Sequence, residues 1–203
     1  GGRVAFGVIG LMVLVYLLGF MAWGWISKMS LPEIDVAVAN VVDVLDESDS
    51  VQGWVIDDAQ SSIGFSYMQY GQSVSGQFET WSGVIDFDPN DLDSSRVWVE
   101  IDINSLATVS ADRDAQARGE SWFDVAAHPR AVFESESFEV LRANRYRVDG
   151  VLDLRGVRVD VSFPFTLNIS DEGEADMEGA LTLQRLDFGI GQGEWEKIDG
   201  IAN

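Results

Sequence analysis

Hydrophobic and polar residues alternate along most of the chain after Trp54. The stretch RVWVEIDI at 96–103 has an apolar residue at every second position, and YRVDGVLDL at 146–154 and VSFPFTLNI at 161–169 alternate likewise. Since successive side chains of a strand point to opposite faces, this period predicts strands with one buried face. Turn-forming sequences such as DPND at 88–91 and SDEGE at 170–174 separate the stretches. The pattern predicts an all-β fold, an antiparallel sandwich or barrel.

One interruption has a helical pattern. In SADRDAQARGE at 110–120, Ala111, Ala115 and Arg118 fall on one face of a helix. Nothing in the chain alternates strand and helix as a parallel sheet would require. We therefore expect one short helix in an otherwise β domain spanning residues 51–203.

The first 28 residues are of a different kind. Residues 4–26 contain no charge, and their length matches the roughly 20 residues that a helix needs to cross a bilayer. A cleaved signal peptide is the alternative, but its apolar region would be shorter and the sequence ISKMSLPEID offers no good cleavage site. We predict a single transmembrane anchor over 1–28. Arg3 and Lys28 balance each other, so the flanking charges do not orient it.

Residues 29–50 form a predicted connector. SLPE at 30–33 is a capping box, and apolar residues recur at helical spacing over 31–45. The acidic run DESDS at 46–50 ends this pattern. We expect an amphipathic helix and an acidic linker. The apolar stripe could lie on its own domain, on a partner subunit or on the membrane face, and the sequence leaves these open.

The net charge of the chain limits the kinds of molecule that it is expected to bind. It carries 34 acidic and 13 basic residues, a net charge of -21, and no cysteine. Such an acidic surface repels nucleic acid, which we do not expect as a partner. The absence of cysteine excludes disulfides, thiolate metal sites and covalent haem attachment.

The predicted interior is rich in large apolar side chains. An eight-stranded barrel can fill its interior with such residues or hold a ligand among them. The pattern alone favours a filled core, because alternation reports burial and not cavities. The alternative is a hydrophobic lumen that binds a ligand, for which the candidate residues are Phe65, Phe78, Trp81, Phe87, Phe133, Phe138, Leu152, Leu154, Phe163, Phe165 and Phe188.

Residues suited to catalysis are few. His128 is the only histidine, so a zinc site would need three other ligands and a bis-histidine haem site is excluded. Asp112 and Asp114 suit the start of a helix, where acidic side chains interact favourably with the dipole. No serine matches a nucleophile motif. We assign no catalytic residue and no metal ligand, and we expect a protein that is not an enzyme.

The glycines of DFGIGQGEW at 187–195 raise the question of a phosphate-binding loop. A dinucleotide loop follows a strand and opens a helix. Here the following EWEKIDG has no helical stripe, and a phosphate would meet acidic side chains on both sides. The stretch is interpreted as a strand connection at the barrel rim.

Five ordered segments together resemble the YceI-like family, which is polyisoprenoid-binding and lipocalin-like. They are WVIDDAQSSIGFS at 54–66, VSGQFETWSGVIDFD at 74–88, RDAQARGESWFDVAAHPRAVFES at 113–135, YRVDGVLDLRGVRVDVSFPFTL at 146–167 and LTLQRLDFGIGQGEW at 181–195. The last resembles the form found in members joined to membrane cytochromes b. His128 departs from the family, in which tyrosine is commoner.

The resemblance implies a lipocalin-like antiparallel barrel of about eight strands that binds a polyprenyl lipid or an isoprenoid quinone without covalent attachment. It also implies a single-pass protein of the inner membrane, anchored through residues 4–26, with its C-terminal domain in the periplasm. The alternative is an accessory subunit of a membrane electron-transfer complex.

The resemblance also implies a further closing strand. The family's last strand would begin near Asn203, so we expect about eight to ten more residues beyond it, a typical strand length. Without that strand, the open edge should be covered by residues 31–45, a partner chain or a short charged stretch.

Overall fold

The computed structural model describes residues 8–17, 53–193 and 195, with side chains described from residue 53 onward. Strands dominate these residues, and one α-helix accompanies them. The strands are β1 Val8–Leu17, β2 Val55–Ile56, β3 Ser62–Gln69, β4 Gln72–Phe78, β5 Trp81–Asp88, β6 Asp91–Asp102, β7 Leu106–Thr108, β8 Arg130–Arg142, β9 Arg145–Leu154, β10 Val157–Ile169 and β11 Glu174–Leu183. The helix, α1, is Ala111–Arg118, and 3-10 helices occupy Ile103–Ser105 and Arg185–Phe188.

The strands form one curled sheet in the order β5-β6-β8-β9-β10-β11-β1-β3-β4-β7. Every pairing that does not involve β1 is antiparallel. A bridge between Trp54 and Ile85 joins the segment just before β2 to the β5 edge, and β2 itself pairs with β1. The sheet therefore curls back toward its own beginning, which confirms the predicted antiparallel, barrel-like β fold with one short helix.

Strand β1 differs from the sequence prediction. Val8–Leu17 was expected within a membrane-spanning helix, whereas the backbone here lies between β3 and β11 and runs parallel to both. An uninterrupted apolar run suits a central strand as well as a membrane helix, so periodicity cannot separate the two. Strand β1 also pairs with β2, at Val8 and Ile9. The predicted closing strand beyond Asn203 and the predicted cover from 31–45 lie outside the described residues.

The remaining N-terminal predictions lie outside the described residues. These are the rest of the anchor, at 1–7 and 18–28, and the connector at 29–50. Within the described part of the chain, no helix has the length and apolar character needed to span a bilayer. The membrane anchor stays a prediction.

The predicted helix is confirmed as α1, but it packs through a different face. Ser110 caps its start, and the Ser110 hydroxyl accepts a hydrogen bond from the Arg113 N–H. Asp114 is buried and Ala117 packs against the core, while Ala111 and Ala115 are exposed. A carboxylate thus occupies the buried face, which a hydrophobic pattern could not reveal.

The core lies on the concave side of the sheet and follows the period-two pattern. Along β9 the side chains alternate strictly between half-buried and buried positions. Phe87 is central, because its ring lies edge-on to Phe138 at 5.1 Å, Tyr146 at 5.3 Å and Phe165 at 5.5 Å between centroids. Edge-to-face packing of this kind adds to the stabilisation from burial alone.

Candidate functional site: two cavities inside the curled sheet

All eleven predicted lumen residues belong to the interior cluster. Trp81, Phe133 and Phe138 are partly buried and pack against it, and the other eight are buried. The expectation that these side chains face the interior is therefore confirmed. Their role as ligand contacts stays a prediction.

Five of them meet around a cavity of about 30 Å³, called here the apolar cavity. Every residue around it is hydrophobic: Ile85, Phe87, Val97, Val99, Phe133, Phe138, Val148, Phe163, Phe165, Leu167 and Met177. These residues come from β5, β6, β8, β9, β10 and β11. The space is surrounded by alternating inward positions of six strands, and no polar side chain lines it.

A glycine makes room for one wall of this cavity. A Cβ atom at Gly150 would lie 2.3 Å from the Glu134 carbonyl oxygen and 2.9 Å from Cε2 of Phe133. The missing side chain on β9 lets the Phe133 ring lie across the strand and reach Phe163, 5.5 Å away between centroids. Gly150 is thus an inward-facing position of β9 that leaves space for a neighbouring ring, where a larger residue would fill that space.

A second cavity, of about 40 Å³, lies beside α1 and is called here the rim cavity. Phe65 is the one predicted lumen residue in its wall. Unlike the apolar cavity, it has polar groups around it. Its lining comprises Phe65, Tyr67, Leu106, Thr108, Arg113, Ala117, Trp122, Phe123, Arg185 and Ile190.

The other five predicted lumen residues lie elsewhere. Phe78 and Trp81 line an open surface groove together with polar residues such as Glu79 and Asp58. Leu152, Leu154 and Phe188 line none of these three spaces and instead fill the core. Alternation correctly predicted that they are inward, but it does not distinguish a filled layer from a hollow one.

Arg185 holds the glycine-rich stretch in place. Its side chain is 2% exposed, and Nη1 donates to the carbonyl oxygens of Ile190 at 2.9 Å and Gly191 at 3.0 Å. Nη2 donates to the Trp195 carbonyl oxygen at 3.2 Å. A buried guanidinium needs such acceptors, and backbone carbonyls supply them.

The same stretch is not a phosphate loop. The N–H groups of Gly191 and Gln192 both donate to the Ser121 carbonyl oxygen, at 2.8 and 2.9 Å. They are therefore not available to cradle an anion. The segment connects β11 to the rim cavity, where Ile190 forms part of the wall, so the interpretation as a strand connection is supported.

Polar groups on the α1 side of the rim cavity are ordered by a buried carboxylate. Asp114 accepts hydrogen bonds from the Thr108 backbone N–H at 3.0 Å and the Thr108 hydroxyl at 2.6 Å. Burial raises the pKa of Tyr67 above its ordinary value, Arg113 lowers it and Asp114 raises it. Tyr67 is therefore a neutral phenol at physiological pH and can donate a hydrogen bond.

Comparison with known proteins shows the family to which this chain belongs. A family model described as a YceI-like domain matches residues 54–202. The chain belongs to the YceI-like family. A UPF0312 protein of Pseudomonas savastanoi pv. phaseolicola is 31% identical over 137 residues, covering 64% of this chain and 67% of the relative. A UPF0312 protein of Vibrio parahaemolyticus is 32% identical over 138 residues, covering 65% and 73%.

Solved structures with the same fold are also found. BcnA of Burkholderia cenocepacia superposes with a TM-score of 0.65 at 27% identity, covering 70% of this chain and 88% of that one. The YceI protein of Campylobacter jejuni superposes with a TM-score of 0.51 at 19% identity, covering 84% and 93%. The second comparison shows a shared fold.

Four polar or aromatic residues of this YceI-like domain were not predicted as site residues: Tyr67, Arg113, Trp122 and Arg185. Of these four, only Arg185 could have been found from the sequence, because it directly follows the alternating segment LTLQ and precedes the glycines of 187–195. Trp122 lies in a loop, where no periodicity assigns a direction to its side chain. Arg113 lies between Asp112 and Asp114 at the start of the helix, a position that predicts a solvated side chain.

His128 has a structural position in this YceI-like domain. A Cβ atom at Gly156 would lie 2.7 Å from Cε1 of the His128 ring, so the ring lies against the β9–β10 turn. Within the described residues, no group of three or more histidine, cysteine or acidic side chains is arranged to hold a metal ion.

Proposed function

We propose that this protein is a non-catalytic, membrane-anchored periplasmic binding protein that holds a long-chain isoprenoid lipid or isoprenoid quinone inside the curled sheet. The observation that carries the proposal is the apolar cavity, which is lined by hydrophobic residues alone. Each CH₂ group removed from water is worth about 0.8 kcal/mol, so a long hydrocarbon tail gains strongly from such surroundings. Membership of the YceI-like family and its resemblance to polyisoprenoid-binding proteins support it.

The tail enters by displacing part of the wall. A cavity of about 30 Å³ accommodates a few waters at most, at about 10–15 Å³ each. Val97, Phe133, Phe138 and Met177 line it and are only partly buried. These side chains can move toward solvent without breaking a polar contact, and methionine adapts readily to irregular shapes. The tail takes the space that they vacate.

The location in the cell is part of the proposal. The uncharged residues 4–26 and the family resemblance support an inner-membrane anchor with the domain in the periplasm. In this arrangement residues 8–17 lie in the membrane and not at the β1 position of the sheet, since one segment cannot occupy both. Protease added to intact spheroplasts should digest the domain and leave a small membrane-embedded fragment. Full protection of the domain would place it on the other side.

A second candidate function is an accessory subunit of a membrane electron-transfer complex. The apolar stripe predicted over 31–45 and the resemblance of 181–195 to members joined to cytochromes b favour it. Native gels of mildly solubilised membranes distinguish the two. Co-migration with large subunits supports an accessory role, whereas migration as a small species counts against it.

Lipid extraction tests the binding function directly. The purified full chain is extracted with organic solvent and the extract analysed by mass spectrometry, with an isoprenoid expected. Phe138→Asp introduces a carboxylate beside the apolar cavity and should remove the lipid, because an unpaired charge among apolar groups is costly. Val84→Asp is the matched control on the outer face, since Val84 is 62% exposed.

Two results would contradict the binding function. One is an extract without isoprenoid from the unaltered protein, together with no uptake of added isoprenoid. The other is undiminished lipid in Phe138→Asp when its thermal unfolding matches that of Val84→Asp.

A further inference from the structure

Three hydrophobic side chains are exposed at one end of the sheet, beside the β8–β9 and β10–β11 turns. Val140 is 52% exposed, Leu141 42% and Ile169 46%. The β8–β9 turn is held against β10, because the Leu167 N–H donates to the Asn144 carbonyl oxygen at 2.9 Å. The two turns therefore lie side by side. Exposed apolar side chains that gather in one region and are rimmed by polar groups mark a contact with a membrane or a protein.

Two of these side chains continue the inward rows that line the apolar cavity. Strand pairing is regular from Phe138 to Val140 in β8 and from Leu167 to Ile169 in β10. Each pair therefore points to one side of the sheet, since side chains alternate along a strand. Phe138 and Leu167 line the apolar cavity. The hydrophobic side of both strands thus runs from the cavity to the exposed end of the sheet.

The tip of the β8–β9 hairpin is basic, although the chain is strongly acidic. Arg142, Arg145 and Arg147 fall within six positions of a chain that has 13 basic and 34 acidic residues. Arg147 is paired with Glu139 and Asp149. In the part of the chain that the structure describes, no ion pair is found for Arg142 or Arg145. The tip therefore presents two guanidinium groups, whose planar fork of donors suits phosphate oxygens.

The hairpin also extends past its neighbour β6. Strand β6 pairs with β8 only as far as Glu134. Strand β8 continues to Arg142, and over this stretch its ladder is with β9. Among the described residues, no strand covers the β6 side of the tip, which is therefore open to a flat surface.

We infer that this end of the sheet docks on a phospholipid bilayer. The docking face consists of Val140, Leu141, Arg142, Arg145 and Ile169. Its apolar side chains enter the boundary between head groups and acyl chains, and its two arginines bind head-group phosphates. None of the five pairs with β1, so the face does not depend on where that strand lies.

The inference rests on the proposed function, in which a membrane lipid has to reach the apolar cavity. The docking face continues the rows that line this cavity, so a tail leaving the bilayer stays beside hydrophobic side chains. The proposed anchor also keeps the domain beside the bilayer. A tethered domain docks through a weak contact, because its effective concentration at the surface is high.

A bilayer suits this face better than a groove on a protein does. The three apolar side chains belong to two hairpins, and a flat surface meets both at once. Acidic residues are exposed at the same end of the sheet, at Asp91, Asp171 and Glu172. Head-group phosphates repel these carboxylates, as they repel the rest of a chain of net charge -21. The contact is therefore shallow and centred on the tip of the β8–β9 hairpin.

Site-specific labelling tests the docking face. The chain contains no cysteine, so Leu141→Cys provides a single attachment site for an environment-sensitive fluorescent dye. The labelled full chain is reconstituted in vesicles of phosphatidylcholine and phosphatidylglycerol whose acyl chains carry a nitroxide quencher. Val84→Cys is the matched control, since Val84 is 62% exposed on β5 and lies outside the docking face. The dye at 141 should be quenched and its emission shifted to the blue, whereas the dye at 84 should show neither change.

Removing the two arginines tests the phosphate contacts. With the dye at 141, Arg142→Gln combined with Arg145→Gln should lower the ratio of docked to undocked domain by roughly tenfold, because each arginine near lipid head groups contributes several-fold. Arg158→Gln is the control, on an exposed arginine of β10 that is paired with Glu134. It should leave the quenching unchanged. Ile169→Cys supplies a second dye position should a label at 141 disturb the hairpin.

The failures of the two proposals can be told apart. If the dyes at 141 and 169 are quenched no more than the dye at 84, the docking face is overturned, even where lipid extraction yields an isoprenoid. Strong quenching at 141 with no isoprenoid in the extract supports the docking face and counts against the binding function. Equal quenching in the double arginine variant and the Arg158→Gln control overturns the phosphate contacts.

Discussion

The Arg185 guanidinium lies 2.9 Å from the carbonyl oxygen of Ile190, five residues further along the chain. A charged side chain is thus buried beneath the connection that it stabilises. The carbonyls that it bonds would otherwise point into the protein without donors. Burying a charge is tolerated here because the guanidinium donates hydrogen bonds to backbone carbonyl oxygens.

Replacing Arg185 by Met should lower the free energy of unfolding by about 3 kcal/mol, because buried carbonyl oxygens lose their donors. Urea denaturation followed by circular dichroism measures this. Arg155→Met is the control, since within the described residues the Arg155 side chain donates a single hydrogen bond, to the carbonyl oxygen of the exposed Glu120 at 2.9 Å. Equal stability of the two variants would contradict the scaffold role of Arg185.

The glycines of the connection should differ in their tolerance of a methyl group. Gly191 and Gly193 both have left-handed backbones, with φ of 76° and 70°. A Cβ at Gly191 would lie 2.3 Å from Nη1 of Arg185, whereas nothing lies within 4 Å of one at Gly193. Gly193→Ala should cost about 1 kcal/mol for the conformation alone, and Gly191→Ala clearly more. Equal melting temperatures would show that Arg185 moves aside freely.

Gly150 should resist replacement by alanine. The added methyl group would collide with the Glu134 carbonyl and the Phe133 ring, so we expect a loss of about 1–3 kcal/mol from overpacking. Gly53→Ala is the matched control, with nothing within 4 Å of its Cβ. Thermal unfolding compares the two. A Gly150→Ala variant as stable as the control would mean that Phe133 has other space to occupy.

Tyr67 should make the protein less stable in alkali. Its folded pKa is raised above the ordinary value of 10.0. The unfolded chain therefore loses this proton first as the pH rises past about 10, which favours unfolding. Stability is fully present below pH 10 and falls above it until the folded pKa is passed. The Tyr67→Phe variant should show a smaller decline than the unaltered protein in urea titrations between pH 9 and 11, and an equal decline would contradict the prediction.

Strand β1 can be tested by removing one N–H group. Val13 lies opposite Gly179 of β11 and Ile63 of β3. Val13→Pro deletes a ladder donor from a central strand, where proline is not tolerated. Hydrogen exchange of β3 and β11 should quicken, while Val13→Ile leaves it unchanged. Unaltered exchange in Val13→Pro would show that this segment lies elsewhere, as in the predicted membrane helix.

The parts of the structure that sequence reveals are those that repeat. Strict alternation in 146–154 predicted β9 and its buried face, because the period of a strand is set by its backbone. The position of a cavity depends on how six strands meet, as the contrast between Phe163 and Leu152 illustrates. Both are buried, yet only Phe163 lines an open space.

Other features could not be predicted, either because two structures share one hydrophobic pattern or because no sequence pattern marks them. The apolar run at 8–17 fits a strand and a membrane helix equally, and only its neighbours in space choose between them. Trp122 and Arg185 meet at the rim cavity from distant parts of the chain. Their proximity depends on the three-dimensional closure of the sheet, which local sequence does not reveal.

The parallel pairing of β1 with β3 and β11 affects when the domain can fold during synthesis. Val8 lies opposite Glu174, so the first described strand pairs with the last described one. A ribosome delivers β1 long before either of its neighbours is complete. The segment must wait, exposed or held by a chaperone, while the intervening hairpins form. Such non-local pairing slows folding and exposes apolar chain to aggregation, so this strand sets the pace at which the sheet can be finished.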